Sequence, residues 1–190
     1  MNAFLTSDVF MVEQKSFSVG SQYTVFDENG AEIGHIVEDH ALLRVVMELF
    51  IKGRVPFSLH LEDNEKNVLV SVRKNFSMFM ANFDILDADG QVIGTIKQDF
   101  SIKRSSFEIL GANGDLIATI KGDWNAWHLN IITPEDGIIA AITKRFGSAL
   151  KELFTSYDKY RVKMCSSVPD EKLRLLVIAL SAVMDKFLHD

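Results

Sequence analysis

The stretch from Asp170 to Asp190 constrains the fold of this 190-residue chain more than any other part of it. Between Arg174 and Asp185 lie ten consecutive uncharged residues, Leu175 to Met184, with Ser181 the one hydroxyl among them. The run reads as a helix that is apolar on every side, and such a helix is buried in protein or in lipid. Crossing hydrocarbon takes about 20 mostly apolar residues. Lengthening this run to that span would carry Asp185 and Lys186 into the bilayer, at about 3 kcal/mol each on insertion scales. The helix is therefore expected to fill a protein core, through Leu175, Leu176, Ile178, Ala179, Leu180, Val183, Met184 and Phe187.

The rest of the chain supplies something to fill. Phe83-Asp-Ile-Leu-Asp-Ala-Asp-Gly90-Gln-Val-Ile93-Gly94-Thr-Ile96 recurs 24 residues later as Phe107-Glu-Ile-Leu-Gly-Ala-Asn-Gly114-Asp-Leu-Ile117-Ala118-Thr-Ile120. Two further copies start at Tyr23 and Leu129, and a degenerate one without the glycine starts at Phe57. Alternating apolar residues on either side of Asx-Gly spell a β-hairpin. The pairs Asn29-Gly30, Asp89-Gly90, Asn113-Gly114 and Asp136-Gly137 are expected to supply the positive φ angles of the reversals. The small residues Gly34, Gly94, Ala118 and Ala140 mark a close approach of another element or a strand coil.

Twelve short strands at even spacing follow: 9–14, 22–27, 32–37, 57–62, 67–74, 82–87, 91–97, 104–110, 115–121, 126–132, 138–144 and 158–165. Helices are expected over 40–52 and 148–155. A closed sheet of that size encloses more volume than its own side chains occupy. The expected fold is mainly β: one domain, 1–190, in which a closed barrel of about twelve antiparallel strands wraps around the buried C-terminal helix.

The net charge of −6 argues against a general nucleic-acid or anionic-membrane binder. The charge is uneven: residues 1–70 carry eleven acidic and five basic side chains, whereas 144–174 carry eight basic and four acidic. A solvated face is the plain reading of that basic segment. A contact surface for lipid or another anion is the functional one, using Lys144, Arg145, Lys159, Arg161 and Lys163. Cys165 is the single cysteine, expected to be buried, and no internal disulfide can form. The start lacks the basic and apolar regions of a secretory signal, so a cytoplasmic chain, peripheral to membrane at most, is expected.

Several segments resemble known families. Val12-Glu-Gln14-Lys15-Ser-Phe17-Ser-Val-Gly20 through Phe26-Asp-Glu-Asn-Gly30 resembles the start of LURP-one-related proteins, and Val70-Ser-Val-Arg73-Lys74-Asn-Phe76 with Phe83-Asp-Ile-Leu-Asp resembles their middle. Ile142-Thr-Lys144-Arg-Phe146-Gly147, Glu152-Leu-Phe154-Thr155 and Leu180-Ser-Ala-Val-Met-Asp185 resemble the last third of phospholipid scramblases. Both families share the Tubby C-terminal-like fold, and the resemblance implies a twelve-stranded barrel around a C-terminal helix. Scramblases also carry an acidic calcium-binding segment. The matching stretch here, residues 154–161, keeps Asp158 but departs from the pattern at Ser156, Lys159 and Arg161, and positive charge beside a hard-cation site opposes binding.

Catalytic patterns are sparse. Asp87-Ala-Asp89-Gly90 suggests a calcium loop, but an EF-hand would need an acid where Ile85 stands, so a hairpin turn is expected. No nucleotide-binding glycine loop or nucleophile elbow is present. Trp124 and Trp127 flank a turn and are expected to anchor the core. The expectation is a non-catalytic binding or interaction module without a cofactor. Its partner is an anionic phospholipid surface or another protein, with nucleic acid excluded. The alternatives are lipid translocation with the tail helix in the bilayer, and an enzyme that these motifs do not reveal.

Overall fold

The computed structural model describes residues 3–15, 22–39, 56–76, 81–99, 106–123, 127–145, 159–165 and 170–189. A short helix α1 (Ala3–Thr6) precedes twelve strands. These are β1 (Val9–Gln14), β2 (Gln22–Phe26), β3 (Glu32–Glu38), β4 (Phe57–Asp63), β5 (Val68–Lys74), β6 (Asn82–Leu86), β7 (Val92–Asp99), β8 (Ser106–Gly111), β9 (Leu116–Asp123), β10 (His128–Thr133), β11 (Gly137–Arg145) and β12 (Lys159–Met164). A long helix α2 (Glu171–His189) ends the chain. Each strand pairs antiparallel with the next in sequence, and β12 closes the barrel on β1. The strand set matches the expectation with ends shifted by a residue or two. The helices expected over 40–52 and 148–155 lie outside the described residues, as does Trp124.

The turns differ from the expected two-residue reversals. Gly30, Gly90, Gly114 and Gly137 take positive φ, but Asn29, Asp89, Asn113 and Asp136 do not. In the β6–β7 hairpin, Asp87 N donates to Gln91 O and Gly90 N to Asp87 O. The ladder shifts register between Ile85 and Leu86. The β2–β3 and β8–β9 hairpins repeat this arrangement. Glycine here is the left-handed residue of a bulge that follows a tight turn, and one left-handed position suffices for that reversal. In the degenerate β4–β5 copy, Lys66 takes the left-handed place with φ 65.

The small-residue positions serve close packing. A Cβ on Gly34 would clash with Glu62 O and meet the Phe4 ring at 2.8 Å. Phe4, delivered by α1, is fully buried. The sequence pattern did not disclose α1, because its few residues carry no helical period.

Helix α2 runs through the barrel as its axle. Every residue from Leu173 to Lys186 is buried. At the end that carries the tight turns, Lys172 of α2 faces Asp87 and Arg174 meets the N-terminal segment. At the other end the lead residues of the repeats gather round its last turns. Phe83 and Phe107 stack edge-on against Phe187, with centroids 5.9 and 5.5 Å away, and Phe57 packs on Phe83 at 6.2 Å. The repeat thus has a three-dimensional meaning: its first residues form a collar around one end of the axle.

Candidate functional site

Alternation along β12 sorts its residues onto two faces. Tyr160, Val162 and Met164 point into the core and are buried, which turns Lys159, Arg161 and Lys163 outward. Strand pairing then fixes their neighbours. Arg161 lies between Thr143 of β11 and Met11 of β1, and Lys163 between Ala141 and Val9. Val9 and Met11 are half-buried, so the basic groups stand beside apolar surface. Lys159 sits opposite Glu13, and the two form an ion pair of 2.9 Å. Arg161 is half-buried and Lys163 is exposed.

The five basic residues expected as a contact surface therefore do not share one face. Lys144 pairs in register with inward-facing Tyr160. Its ammonium lies over the rings of Trp127 and Tyr160, 5.2 and 5.6 Å from their centroids. Arg145 pairs with Lys159 in the backbone register, and its side chain lies outside the described residues. A further outward cation stands in the same register row three strands away, on β9. Lys121 is exposed and reaches the Lys163 row through Asn130 and Ala141. It stands far from the basic segment in sequence, and counting register from the Gly137 turn is what would have located it.

Cys165 was expected to be buried and is exposed. It follows Lys163 by two residues and takes the same outward parity, with its thiol donating to Ile138 O at 3.2 Å. Trp127 is buried against Tyr160, as a core anchor. Asp87 Oδ1 accepts from Asp89 N and Gln91 N, so the Asp87–Gly90 segment is a turn. Asp158 lies outside the described residues. Among the described residues no group of three or more His, Cys, Asp and Glu is placed to hold a metal ion.

The charges that bracket the apolar helix are drawn inside with it. Asp185 accepts hydrogen bonds from both Tyr23 Oη, at 2.7 Å, and Tyr160 Oη. Lys186 donates to Glu38 at 3.0 Å, and both side chains are buried. At the opposite end the Arg174 guanidinium donates to the carbonyls of Phe4 and Ser7 and approaches Asp8. Buried charge needs a counter-charge or hydrogen bonds; Lys186 and Arg174 have both, and Asp185 has the two phenols. None of the described helices is long and apolar enough to cross a membrane.

Comparison with known proteins agrees with this architecture. An X-ray structure of a protein from Arabidopsis thaliana superimposes with a TM-score of 0.59 at 10% identity, covering 97% of this chain and 94% of that one. At that identity the likeness concerns the fold. No curated protein matches the chain. The family model described as Scramblase matches residues 7–189, which span the barrel and its axle alike, and the chain belongs to the Scramblase family.

Proposed function

We propose that this domain is a non-catalytic module that docks on anionic phospholipid surfaces through the outer face of β12. The observation that carries the reading is the outward pair Arg161 and Lys163, flanked by Val9 and Met11, with Lys121 three strands further round in the same row. Basic groups beside modest apolar surface suit a headgroup layer. Each cation near an anionic surface contributes about 1 kcal/mol, so three give about 3 kcal/mol. That is weak, reversible attachment, sensitive to salt. At physiological salt the chain's more distant negative charges are screened beyond a Debye length of about 8 Å, so the local basic groups govern the contact.

In this reading the axle stays in place. Withdrawing α2 would strip Asp185 and Lys186 of their buried partners and open the core to water. Breaking a buried ion pair alone costs about 3–5 kcal/mol. Lipid translocation by helix insertion would have to supply that cost.

The test is co-sedimentation with phosphatidylserine-containing vesicles against pure phosphatidylcholine vesicles. Binding to the anionic vesicles should be strong at low salt and fade as salt rises. The variant Lys121→Gln/Arg161→Gln/Lys163→Gln should lose it while unfolding at the wild-type temperature. Absence of binding at every salt concentration, or binding that survives the triple variant, rejects the proposal.

A further inference from the structure

A groove of about 580 Å³ opens at the turn end of the barrel, between the first turn of α2 and the β6–β7 hairpin. That volume lies within the range of small-molecule sites. Its floor is apolar, formed by Leu69, Ile93 and Leu175. A second, smaller space of about 90 Å³ adjoins it, sharing Ile93, Asp170 and Lys172, and continues among Ile109, Ile117 and Leu176. The smaller space lies beside the groove as a second, equally open apolar recess.

The rim has the opposite character. Among the described residues Asp87, Asp89, Asp170 and Glu171 line it, against one cation, Lys172. The positive end of α2 adds roughly half a unit of charge, which leaves the carboxylates in clear excess. Two of the acids have work within the fold: Asp87 Oδ1 holds the turn, and Asp170 Oδ1 accepts from Lys172 N at the start of α2. The side chains of Asp89 and Glu171 are exposed and make no hydrogen bond or ion pair with any described residue. Lys172 is well exposed and only 4.0 Å contact joins it to Asp87, so it can swing aside. A cleft lined by one sign of charge over low-dielectric walls concentrates ions of the other sign.

We infer that this groove binds a small amphipathic cation, an ammonium group on an alkyl or aryl body. The ammonium is held at the rim by Asp89 and Glu171, and the apolar body lies on Ile93 and Leu175 with its end in the recess. Charge complementarity selects this occupant: an anionic amphiphile would meet the carboxylates, and an uncharged one would leave them without a counter-charge. The site is separate from the β12 face, and its ligand has the opposite charge to the surface proposed there.

Titration of the full chain with octylammonium, followed by amide and methyl NMR shifts, tests the inference. Saturable shifts are expected at Ile93, Leu175 and the 87–91 turn. Octanoate and octanol carry the same tail and should bind roughly tenfold or more weakly. The variant Asp89→Asn/Glu171→Gln should weaken octylammonium roughly fivefold and leave octanol unchanged, because exposed pairs act at that scale. Both substitutions are at exposed positions, so an unchanged unfolding temperature shows that the fold is kept. Equal binding of the three probes, shifts outside the groove, or wild-type binding by the double variant overturns the inference.

Discussion

Tyr23 Oη donates a 2.7 Å hydrogen bond to Asp185 Oδ2 in the barrel interior, joining the second strand to the last helix across 162 residues. Tyr160 donates to the other oxygen of the same carboxylate, so the helix is pinned from two strands at once. Hydrogen bonds to a charged group contribute about 1.5–3 kcal/mol, more than neutral ones. Tyr23→Phe should therefore cost about 2 kcal/mol in urea denaturation. Tyr23→Phe/Tyr160→Phe should cost more than the two single losses added, because the second removal takes another donor from a carboxylate that the first has already weakened. A loss below about 0.5 kcal/mol for Tyr23→Phe would show that the carboxylate is satisfied without the phenol.

Lys186 and Glu38 form the neighbouring pair at 3.0 Å, with side chains 2% and 0% exposed. Lys186→Met keeps the volume but takes this counter-charge from the buried carboxylate, and should cost about 3–5 kcal/mol. Adding Glu38→Leu should recover part of that loss, since the buried negative charge is gone as well. Denaturant titration of the single and double variants checks this. A double variant less stable than Lys186→Met would show that Glu38 stabilises the fold through other contacts.

These pins mark where sequence reading stops. The strands were legible because alternation and Asx-Gly turns are local signals, and the axle because ten uncharged residues in a row have few alternatives. Tyr23 was legible as a repeat lead equivalent to Phe57, Phe83 and Phe107. Its hydroxyl could not be matched to Asp185, because that contact exists only once the barrel has closed. The basic face was half legible. The spacing of Lys159, Arg161 and Lys163 by two already puts them on one side of a strand. Adjacent Lys144 and Arg145 cannot share a face in a strand, and composition hid that parity. Lys121 required the register of three strand pairs. Cys165 is exposed because parity outweighed the usual burial of a free cysteine.

Lys66 occupies the left-handed position that glycine takes in the sister hairpins, with φ 65. An L-residue there costs about 1–2 kcal/mol. Glycine removes that strain but loses more chain entropy on folding, about 0.5–1 kcal/mol. Lys66→Gly should therefore stabilise the protein by about 0.5–1 kcal/mol. At about 2–4 °C per kcal/mol for a chain of this size, the unfolding temperature should rise by about 1–4 °C. Calorimetry decides it, and a fall in that temperature would mean that the Lys66 side chain contributes more than its backbone costs.

The same hairpin holds a titrating group. Asp63 accepts from the Asn67 side chain at 2.9 Å, from Asn67 N at 2.9 Å and from Glu65 N at 2.9 Å. The Asn67 side chain first, and its backbone second, hold the Asp63 carboxyl below its ordinary value. A carboxyl depressed in the folded state binds its proton more readily in the unfolded chain, so stability rises with pH through that range. The contribution is fully present above the ordinary Asp value and is lost as pH falls through the folded value. Asn67→Ala should move the Asp63 titration upward toward an ordinary aspartate and flatten the acid limb of the stability curve. NMR titration of the Asp63 carboxyl carbon in both proteins measures the shift. An unchanged midpoint in Asn67→Ala would assign the depression to the backbone donors alone.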